Sequence, residues 1–329
     1  MPGPQTPANA VEGPIVCRPV RQEEVHAALR LIFSTAGRPA DDGQVMEFLQ
    51  YADSRGISTS DIWVADRAGR VVSAVLPVYS PGRTVLLLMP GDAPSGDDSR
   101  AVPLVVDAVC TAALIRGTHL AQVLLDPLDS SALALYTGLG FRRMAELLYL
   151  QTSVRRRAPI PPLTPGFEWI GYSPATHALF TTAITESYQE SLDCPGLNGL
   201  RDIEDVIAGH KASGEFDPGL WFVLSETVGG ANGAACRVPR AVLVLSRLPR
   251  SDAVELVYLG LTPAARGRGL GAMMLRHAMG TVARIERARL TLAVDSGNVP
   301  ALKLYYRHGM QQVASKIAMM RDLRVVSGG

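Results

Sequence analysis

Apolar runs alternate with helix-like segments in the second half of the chain. The run from Ala253 to Leu261 predicts a strand, and the segment from Ala272 to Arg284 predicts a helix. A further apolar run, from Ala288 to Val294, predicts another strand. The pattern therefore predicts a strand, a turn, a helix and a strand in that order, which indicates a mixed α/β fold.

The turn between the first of these strands and the helix is Arg266-Gly267-Arg268-Gly269-Leu270-Gly271. The first backbone N–H groups of a helix have no partner inside the helix, and the helix dipole places partial positive charge there. Glycine lets a ligand approach the backbone, and arginine adds charge that suits a diphosphate. The turn therefore predicts a phosphate site at the start of the helix.

Other interpretations of this turn fit less well or are plainer. A Walker A loop has Lys and then Ser or Thr after its last glycine, whereas Ala272 and Met273 follow Gly271. A dinucleotide-binding fingerprint has a different glycine spacing and an acidic residue about 20 residues later, for which Glu286 is a poor match. The plainest alternative is a helix-start turn without a ligand.

The same pattern occurs twice in the chain. The segment from Asp129 to Phe141 matches that from Asn298 to Met310 at an alanine, a Leu-Tyr pair and a glycine. The first copy follows an apolar strand from Leu120 to Leu125, and strand-like tails follow both copies, Arg142 to Gln151 and Gln311 to Arg321. Such spaced self-similarity predicts a duplicated fold.

The two halves differ where the second half has its arginine–glycine turn. The first half has the segment from Gly91 to Arg100 there, with carboxylates at Asp92, Asp97 and Asp98. Carboxylates repel a diphosphate. The first half is therefore predicted to be degenerate, with a role in structural support or in shaping an acceptor site.

The boundary between the halves is a proline-rich segment, residues 155–166, which contains Pro159, Pro161, Pro162 and Pro165. Proline at this density favours a stiff, extended linker. We therefore expect a flexible tail at 1–14, a degenerate domain at 15–154, the linker at 155–166 and an active domain at 167–329. The tail does not have the pattern of a signal peptide.

Composition narrows the class of protein. The chain has 329 residues, enough for two domains, and a net charge of +1, which argues against a dedicated nucleic-acid binder. It has no apolar run of about 18 residues, so no membrane span is predicted. Its cysteines are Cys17, Cys110, Cys194 and Cys236. They are widely spaced and form no pattern typical of metal ligation, so no metal site is expected. This spacing favours reduced thiols in a cytoplasmic protein.

Two motifs in the second half carry a family resemblance. Arg266, Gly269 and Gly271 fill the pattern Arg/Gln-x-x-Gly-x-Gly/Ala, and a second signature follows as Asn298-x-x-Ala301-x-x-Leu304-Tyr305-x-x-x-Gly309-Met310. In these motifs the chain resembles the GNAT superfamily of N-acetyltransferases, with Met310 where Phe or Tyr is usual. The resemblance implies an α/β fold, a mixed sheet flanked by helices, in two tandem GNAT-like domains. One active half in a tandem pair is similar to the architecture of mycothiol synthase.

The resemblance also implies acetyl-CoA as co-substrate, no metal, and an amine acceptor that attacks the thioester directly in a ternary complex. The backbone N–H groups of Leu259 and Leu261 would lie beside the thioester carbonyl and the pantetheine arm. The implied cofactor-binding residues are Leu259, Leu261, Arg266, Gly267, Arg268, Gly269, Leu270, Gly271 and Asn298.

Two side chains are the implied catalytic groups. Glu255 matches the place of a general base in several family members, although it also fits a surface strand residue or an ion-pair partner. Tyr305 matches the position from which the family often protonates the CoA thiolate, although it also fits core packing. Asn298 fits a cofactor contact and a plain helix cap equally well.

The acceptor side is expected in the region from Thr181 to Gly214. Its acidic residues, among them Asp193, fit ammonium binding or simple solvation. The acceptor is expected to be a small-molecule or protein amine, with no nucleic acid or membrane partner, and the protein a monomer or homodimer. The alternatives are a non-catalytic CoA-binding or scaffolding protein, and an acyltransferase with a longer acyl-CoA.

Overall fold

The computed structural model describes residues 13–34, 38–90, 96–155, 160, 162–229 and 235–325. Some predicted features lie outside these ranges. They are the tail up to residue 12, Asp92 in the acidic turn, and Pro159 and Pro161 in the linker.

The first half contains six strands and four α-helices among the described residues. In chain order they are β1 Ile15–Pro19, α1 Val25–Ile32, α2 Asp42–Arg55, β2 Trp63–Arg67, β3 Arg70–Ser80, β4 Thr84–Leu88, α3 Ala101–Ile115, β5 Leu120–Leu125, α4 Ser130–Gly138 and β6 Arg142–Ser153.

The second half repeats this order of strands and helices. Its elements are β7 Phe167–Gly171, α5 His177–Ser187, α6 Ile203–Ala212, β8 Trp221–Gly229, β9 Ala235–Arg247, β10 Ala253–Leu261, α7 Leu270–Arg284, β11 Arg289–Asp295, α8 Val299–Arg307 and β12 Gln311–Asp322. The predicted duplication is therefore confirmed.

The repeat extends to the details of the fourth helix in each half. Asp129 accepts a hydrogen bond from the N–H of Ala132 at the start of α4, and Asn298 does the same for Ala301 at the start of α8. Both side chains satisfy a helix N–H group that has no partner within its helix. The two motifs thus fold alike because their capping residues occupy equal positions.

All twelve strands form one sheet in the order β1-β2-β3-β4-β5-β12-β6-β11-β10-β9-β8-β7. The final strands of the two halves are exchanged. Strand β12 pairs with β5 of the first half, and β6 pairs with β11 of the second half. Each half therefore completes the sheet of the other.

The exchange also carries side chains into the opposite core. Leu150 of β6 packs into the hydrophobic core of the second half, whereas Ile317 and Met319 of β12 pack into that of the first. Because each last strand depends on the other half for its neighbours, the proposed division at residues 154 and 155 separates the sequence but not the sheet.

Helices cover both faces of the sheet. In the first half, Val64 packs into the cluster that includes α1, whereas its neighbour Ala65 packs into the cluster that includes α3. Successive side chains of a strand point to opposite faces, so each strand contributes to two layers of packing. The predicted mixed sheet flanked by helices is confirmed. Among the described helices, none is long and apolar enough to cross a membrane.

Candidate active site

Strands β10 and β11 form a fork. They are parallel and pair only over Ala253 to Glu255 and Arg289 to Thr291. Beyond these residues β10 continues along β9, while β11 continues along β6. The register of β10 against β9 shifts between Leu256 and Tyr258, which marks a β-bulge at the point where the fork opens. The two strands therefore leave unpaired backbone groups facing each other.

Hydrogen bonding shows which groups face the fork. The N–H of Thr262 donates to the carbonyl of Arg240, on the β9 side of β10, at 3.0 Å. Successive N–H groups of a strand point to opposite edges. The N–H groups of Leu259 and Leu261 therefore face the fork, where the sequence predicted a partner for pantetheine.

The glycine turn lies at the wide end of the fork. Gly267 and Gly269 have φ of +72° and +76°, a conformation that favours glycine, and α7 begins directly afterwards with no side-chain cap at its N-terminus. Gly271 has a different role, since a side chain there would contact Leu304 of α8. The turn presents the open N-terminus of a 15-residue helix, a favourable site for a diphosphate.

The two arginines of the turn have protein partners. The Arg266 guanidinium donates to the carbonyl oxygens of Ser187, Gln189 and Glu190 at 3.1, 2.6 and 3.2 Å. This side chain therefore holds the segment after α5 against the turn. Arg266 would contact a diphosphate directly only after these hydrogen bonds to the carbonyl oxygens were broken.

Arg268 is paired as well. It donates to both carboxylate oxygens of Glu226, at 2.6 and 3.0 Å. Hydrogen bonds from Arg268 and Arg240 lower the pKa of Glu226 to about 2. In this arrangement the predicted phosphate site depends on backbone N–H groups and the helix dipole rather than on free arginine side chains.

Tyr305 is almost completely buried, with 6% of its surface exposed. Within the described part of the chain its hydroxyl has no hydrogen-bond partner. Burial, and secondarily the negative charge of Asp193, raises the pKa of its phenol. A protonated phenol without a partner is suited to donate a hydrogen bond to a ligand.

Glu255 is half-buried on β10, next to the bulge, opposite Ser246 on β9 and Thr291 on β11. Burial raises the pKa of its carboxyl group, and the charge of Arg55 from the first half partly offsets this. A raised pKa improves a carboxylate as a base near neutral pH. In the described structure, no hydrogen bond or ion pair links Glu255 to Tyr305.

Asp193 is the site residue that the sequence did not single out. The N–H of Asp295, at the end of β11, donates to its Oδ1 at 3.4 Å. In return, Asp295 accepts from the N–H of Cys194 at 3.1 Å. Asp193 was only one of several acidic residues in the expected acceptor region, and no spacing rule distinguished it, since its partner lies 102 residues later.

The remaining candidates have plainer places. The Asn298 side chain caps α8, as one of its two interpretations predicted. Burial, and secondarily the charges of Asp193 and Asp295, raises the pKa of the Cys194 thiol to about 12, so this group is a poor nucleophile. Among the described residues no group of His, Cys, Asp and Glu is arranged to hold a metal ion.

The forked sheet and the glycine turn at a helix start lie in the part of the chain that matches a known family. Residues 185–310 match the model of the acetyltransferase (GNAT) family. The second half of this chain therefore contains a match to the GNAT family model.

One curated relative is mycothiol acetyltransferase from Jonesia denitrificans. It is 41% identical over 61 residues, which are 18% of this chain and 19% of that protein. The alignment thus spans about a fifth of the relative, which is too little to assign that protein's substrate to this chain.

Solved structures match over nearly the whole chain. A GCN5-related N-acetyltransferase from Sphaerobacter thermophilus aligns with a TM-score of 0.58 at 16% identity, covering 94% of this chain and 96% of its own. A tandem GNAT protein from the clavulanic acid biosynthesis pathway aligns with a TM-score of 0.51 at 13% identity, covering 95% and 100%. These similarities confirm the tandem GNAT fold.

Proposed function

We propose that this protein is an N-acetyltransferase that transfers the acetyl group of acetyl-CoA to an amine by direct attack. The observation that carries the proposal is the fork in the second half, whose free N–H groups lead to an open helix N-terminus. A linear ligand with a diphosphate at one end and amide groups along its arm matches this sequence of partners. Coenzyme A has that chemistry.

The proposed placement follows from the order of these groups. The diphosphate would lie on the N–H groups of the turn from Gly267 to Gly271, stabilised by the α7 dipole. The pantetheine arm would pair with the N–H groups of Leu259 and Leu261. One of these groups would also donate to the thioester oxygen and stabilise the oxyanion that forms there.

Proton transfer would use the side chains of Glu255 and Tyr305. The acceptor ammonium gives one proton to Glu255 through a water molecule, and its lone pair then forms the C–N bond at the thioester carbon. As the tetrahedral intermediate collapses, the C–S bond breaks and Tyr305 gives its proton to the thiolate. Tyr305 regains a proton from the nitrogen of the product, so the products are an amide, CoA thiol and one released proton.

The first half would shape the acceptor side. Its turn at Gly82 packs against α6, where the carbonyl of Asp205 leaves no room for a side chain, and Arg83 pairs with the Asp205 carboxylate at 3.4 Å. We propose that residues 15–154 act as this support and that residues 167–329 hold the cofactor. The four cysteines are unpaired, which supports the proposed cytoplasmic location.

The test combines binding with turnover. Purified full-length protein is titrated with acetyl-CoA by calorimetry, and thiol release is then followed with a panel of small amines and amine-bearing peptides, each against a sample without amine. We expect one bound acetyl-CoA and thiol release only with some amines. Binding without amine-dependent release indicates a non-catalytic CoA-binding protein, and faster release from longer acyl-CoA donors indicates a different acyl group.

A further inference from the structure

The segment between α5 and α6 places a carboxylate at the open end of the fork. The N–H of Ser296 donates to the backbone carbonyl of Glu146, on the β6 side of β11, at 2.8 Å. By alternation, the N–H of Asp295 faces the β10 side, and it is this group that donates to Asp193. Asp193 therefore lies on the side of β11 that faces the proposed thioester.

The carboxylate is both reachable and enclosed. Asp193 is exposed to solvent, yet the surrounding protein raises the pKa of its carboxyl group, with a further contribution from the charge of Asp295. An exposed carboxylate that is hydrogen-bonded to the end of β11 lies at the open end of the fork. Such a position suits contact with a small ligand that enters the fork.

The negative charge at this point is not compensated by the protein. In the part of the chain that the structure describes, no lysine, arginine or histidine forms an ion pair with Asp193 or Asp295. Other acidic residues nearby do have cations, such as Glu226 with Arg268 and Asp205 with Arg83. Two adjacent carboxylates without a cation create a local potential that attracts a positively charged ligand.

Tyr305 supplies an independent indication of a ligand at the same place. Only 6% of its surface is exposed, and its hydroxyl has no hydrogen-bond partner among the described residues. The charge of Asp193 contributes to the raised pKa of this phenol, so the two groups are near each other. The hydroxyl oxygen is not one of the buried atoms without a partner, so it reaches an open space where a ligand can accept its hydrogen bond.

We propose that Asp193 binds the reacting ammonium group of the acceptor in the fork, so that the substrates of this protein are cationic amines. The inference rests on the proposed function, because it places the acceptor beside the bound thioester. Asp193 holds and orients the ammonium, Glu255 receives its proton through water, and Tyr305 protonates the departing thiolate. The hydrogen bond from the N–H of Asp295 in β11 holds Asp193 in this position.

The test measures charge preference without requiring the natural acceptor. The full-length protein is titrated with n-butylamine, which is cationic at neutral pH, and with 1-butanol as its uncharged counterpart, both with and without bound CoA. We expect the wild type to prefer the ammonium at least about tenfold, as expected for an ion pair with a partly desolvated carboxylate. Asp193→Asn retains an oxygen for the N–H of Asp295 and should reduce this preference to about twofold or less.

A matched control removes a charge from the same region. Glu186 lies near the end of α5 and forms no side-chain hydrogen bond or ion pair among the described residues. Glu186→Gln should keep the full preference for the ammonium. CoA affinity measured in the same samples should be equal in all three proteins.

An unchanged ammonium preference in Asp193→Asn would overturn the assignment. If CoA binding also became more than about tenfold tighter in that variant, Asp193 would occupy the place of the pantetheine arm instead. Failure of the proposed function is distinguishable, because it appears as a lack of amine-dependent thiol release in the wild type, whereas the charge preference is measured by binding alone.

Discussion

The two halves contain the same fork and differ in what lies beyond it. In the first half, β4 and β5 are parallel and pair over Thr84 to Leu86 and Leu120 to Gln122, as β10 and β11 do in the second. Past these pairs β10 continues for six residues, whereas β4 ends after two, at Leu88. Among the described residues, only the second half therefore has a long row of backbone groups beyond the fork, so the two copies of the fold differ at the proposed cofactor site.

The equivalent tyrosines show the same contrast. Tyr136 is 3% exposed, and its hydroxyl contacts the sulfur of Met89, directly after β4. Tyr305 is buried to a similar degree but has no such partner. In the first half a side chain of the protein thus contacts this hydroxyl, whereas in the second half no described side chain does.

One carboxylate of the acidic turn in the first half is compensated. The expected repulsion assumed free carboxylates, but Asp98 pairs with Arg67 at 3.2 Å and with Arg70 at 2.7 Å. The short β4 and the contact of Tyr136 with Met89 therefore give further physical reasons to expect no cofactor in the first half.

The largest expected effect comes from removing the hydroxyl of Tyr305, compared with removal of the equivalent hydroxyl in the first half. Tyr305→Phe should lower kcat about 10²-fold, because a proton donor acts on the thiolate that forms in the transition state. Acetyl-CoA affinity should change by less than about twofold. Steady-state thiol release and calorimetry on the same preparations measure the two quantities.

Tyr136→Phe is the matched control, since it removes the equivalent hydroxyl from the first half. It should leave kcat unchanged. If Tyr305→Phe lowered only the melting temperature, as we expect for Tyr136→Phe because it loses the contact with Met89, the two tyrosines would be equivalent core residues.

Local features of this molecule could be predicted from sequence. Strands β5 and β10 have the predicted bounds, and α7 begins two residues before the predicted start, at Leu270. These elements follow from hydrophobic pattern and glycine placement within a few residues. The fold class and the duplication were predictable for the same reason, because both depend on the order of such elements.

Long-range partners could not be predicted. Strand β6 shows the same pattern whether it pairs with β5 or with β11, so nothing local distinguishes an exchanged strand from one that stays in its own half. The partners of Arg266 and Arg268 are likewise 76 to 79 and 42 residues away. A motif specifies residue types at short spacing, whereas their contacts depend on tertiary structure.

The second prediction concerns the glycine turn. Gly269→Val should weaken acetyl-CoA binding at least about tenfold, because a side chain at φ +76° strains the turn and hinders approach of the diphosphate to the backbone. Calorimetric titration of the folded variant gives the affinity, and circular dichroism verifies the fold.

Gly117→Val provides the matched control from the first half. Gly117 has φ of +82° and, like Gly269, has no atom near the place of a Cβ. The two variants should therefore lose similar stability. Equal acetyl-CoA affinity in both would mean that the turn at Gly269 has only a structural role.

The third prediction concerns Glu255, which has no acidic counterpart inside β4. Glu255→Gln should lower kcat/KM about tenfold at pH 7 and progressively less at alkaline pH, where the acceptor amine already loses its proton. Because burial raises the pKa of Glu255, the acid limb of the wild-type profile should lie above that of an exposed glutamate. Glu286→Gln, at an exposed position after α7, should keep the wild-type profile, and an equal profile for Glu255→Gln would remove this residue from the mechanism.

The smallest expected effect is the absence of a second binding site. Each chain should bind one acetyl-CoA, because β4 has too few free backbone groups after the fork and Tyr136 contacts Met89 where the thioester would lie. The α3 dipole remains, but a helix N-terminus contributes only about 1 kcal/mol toward an anion, which is too little to hold the ligand alone. Calorimetry of the wild type should give a stoichiometry of one, and Gly269→Val should reduce the heat of this single transition without revealing another. A second transition that survives in Gly269→Val would show that the first half retains a cofactor site and that the difference between the two forks does not decide binding.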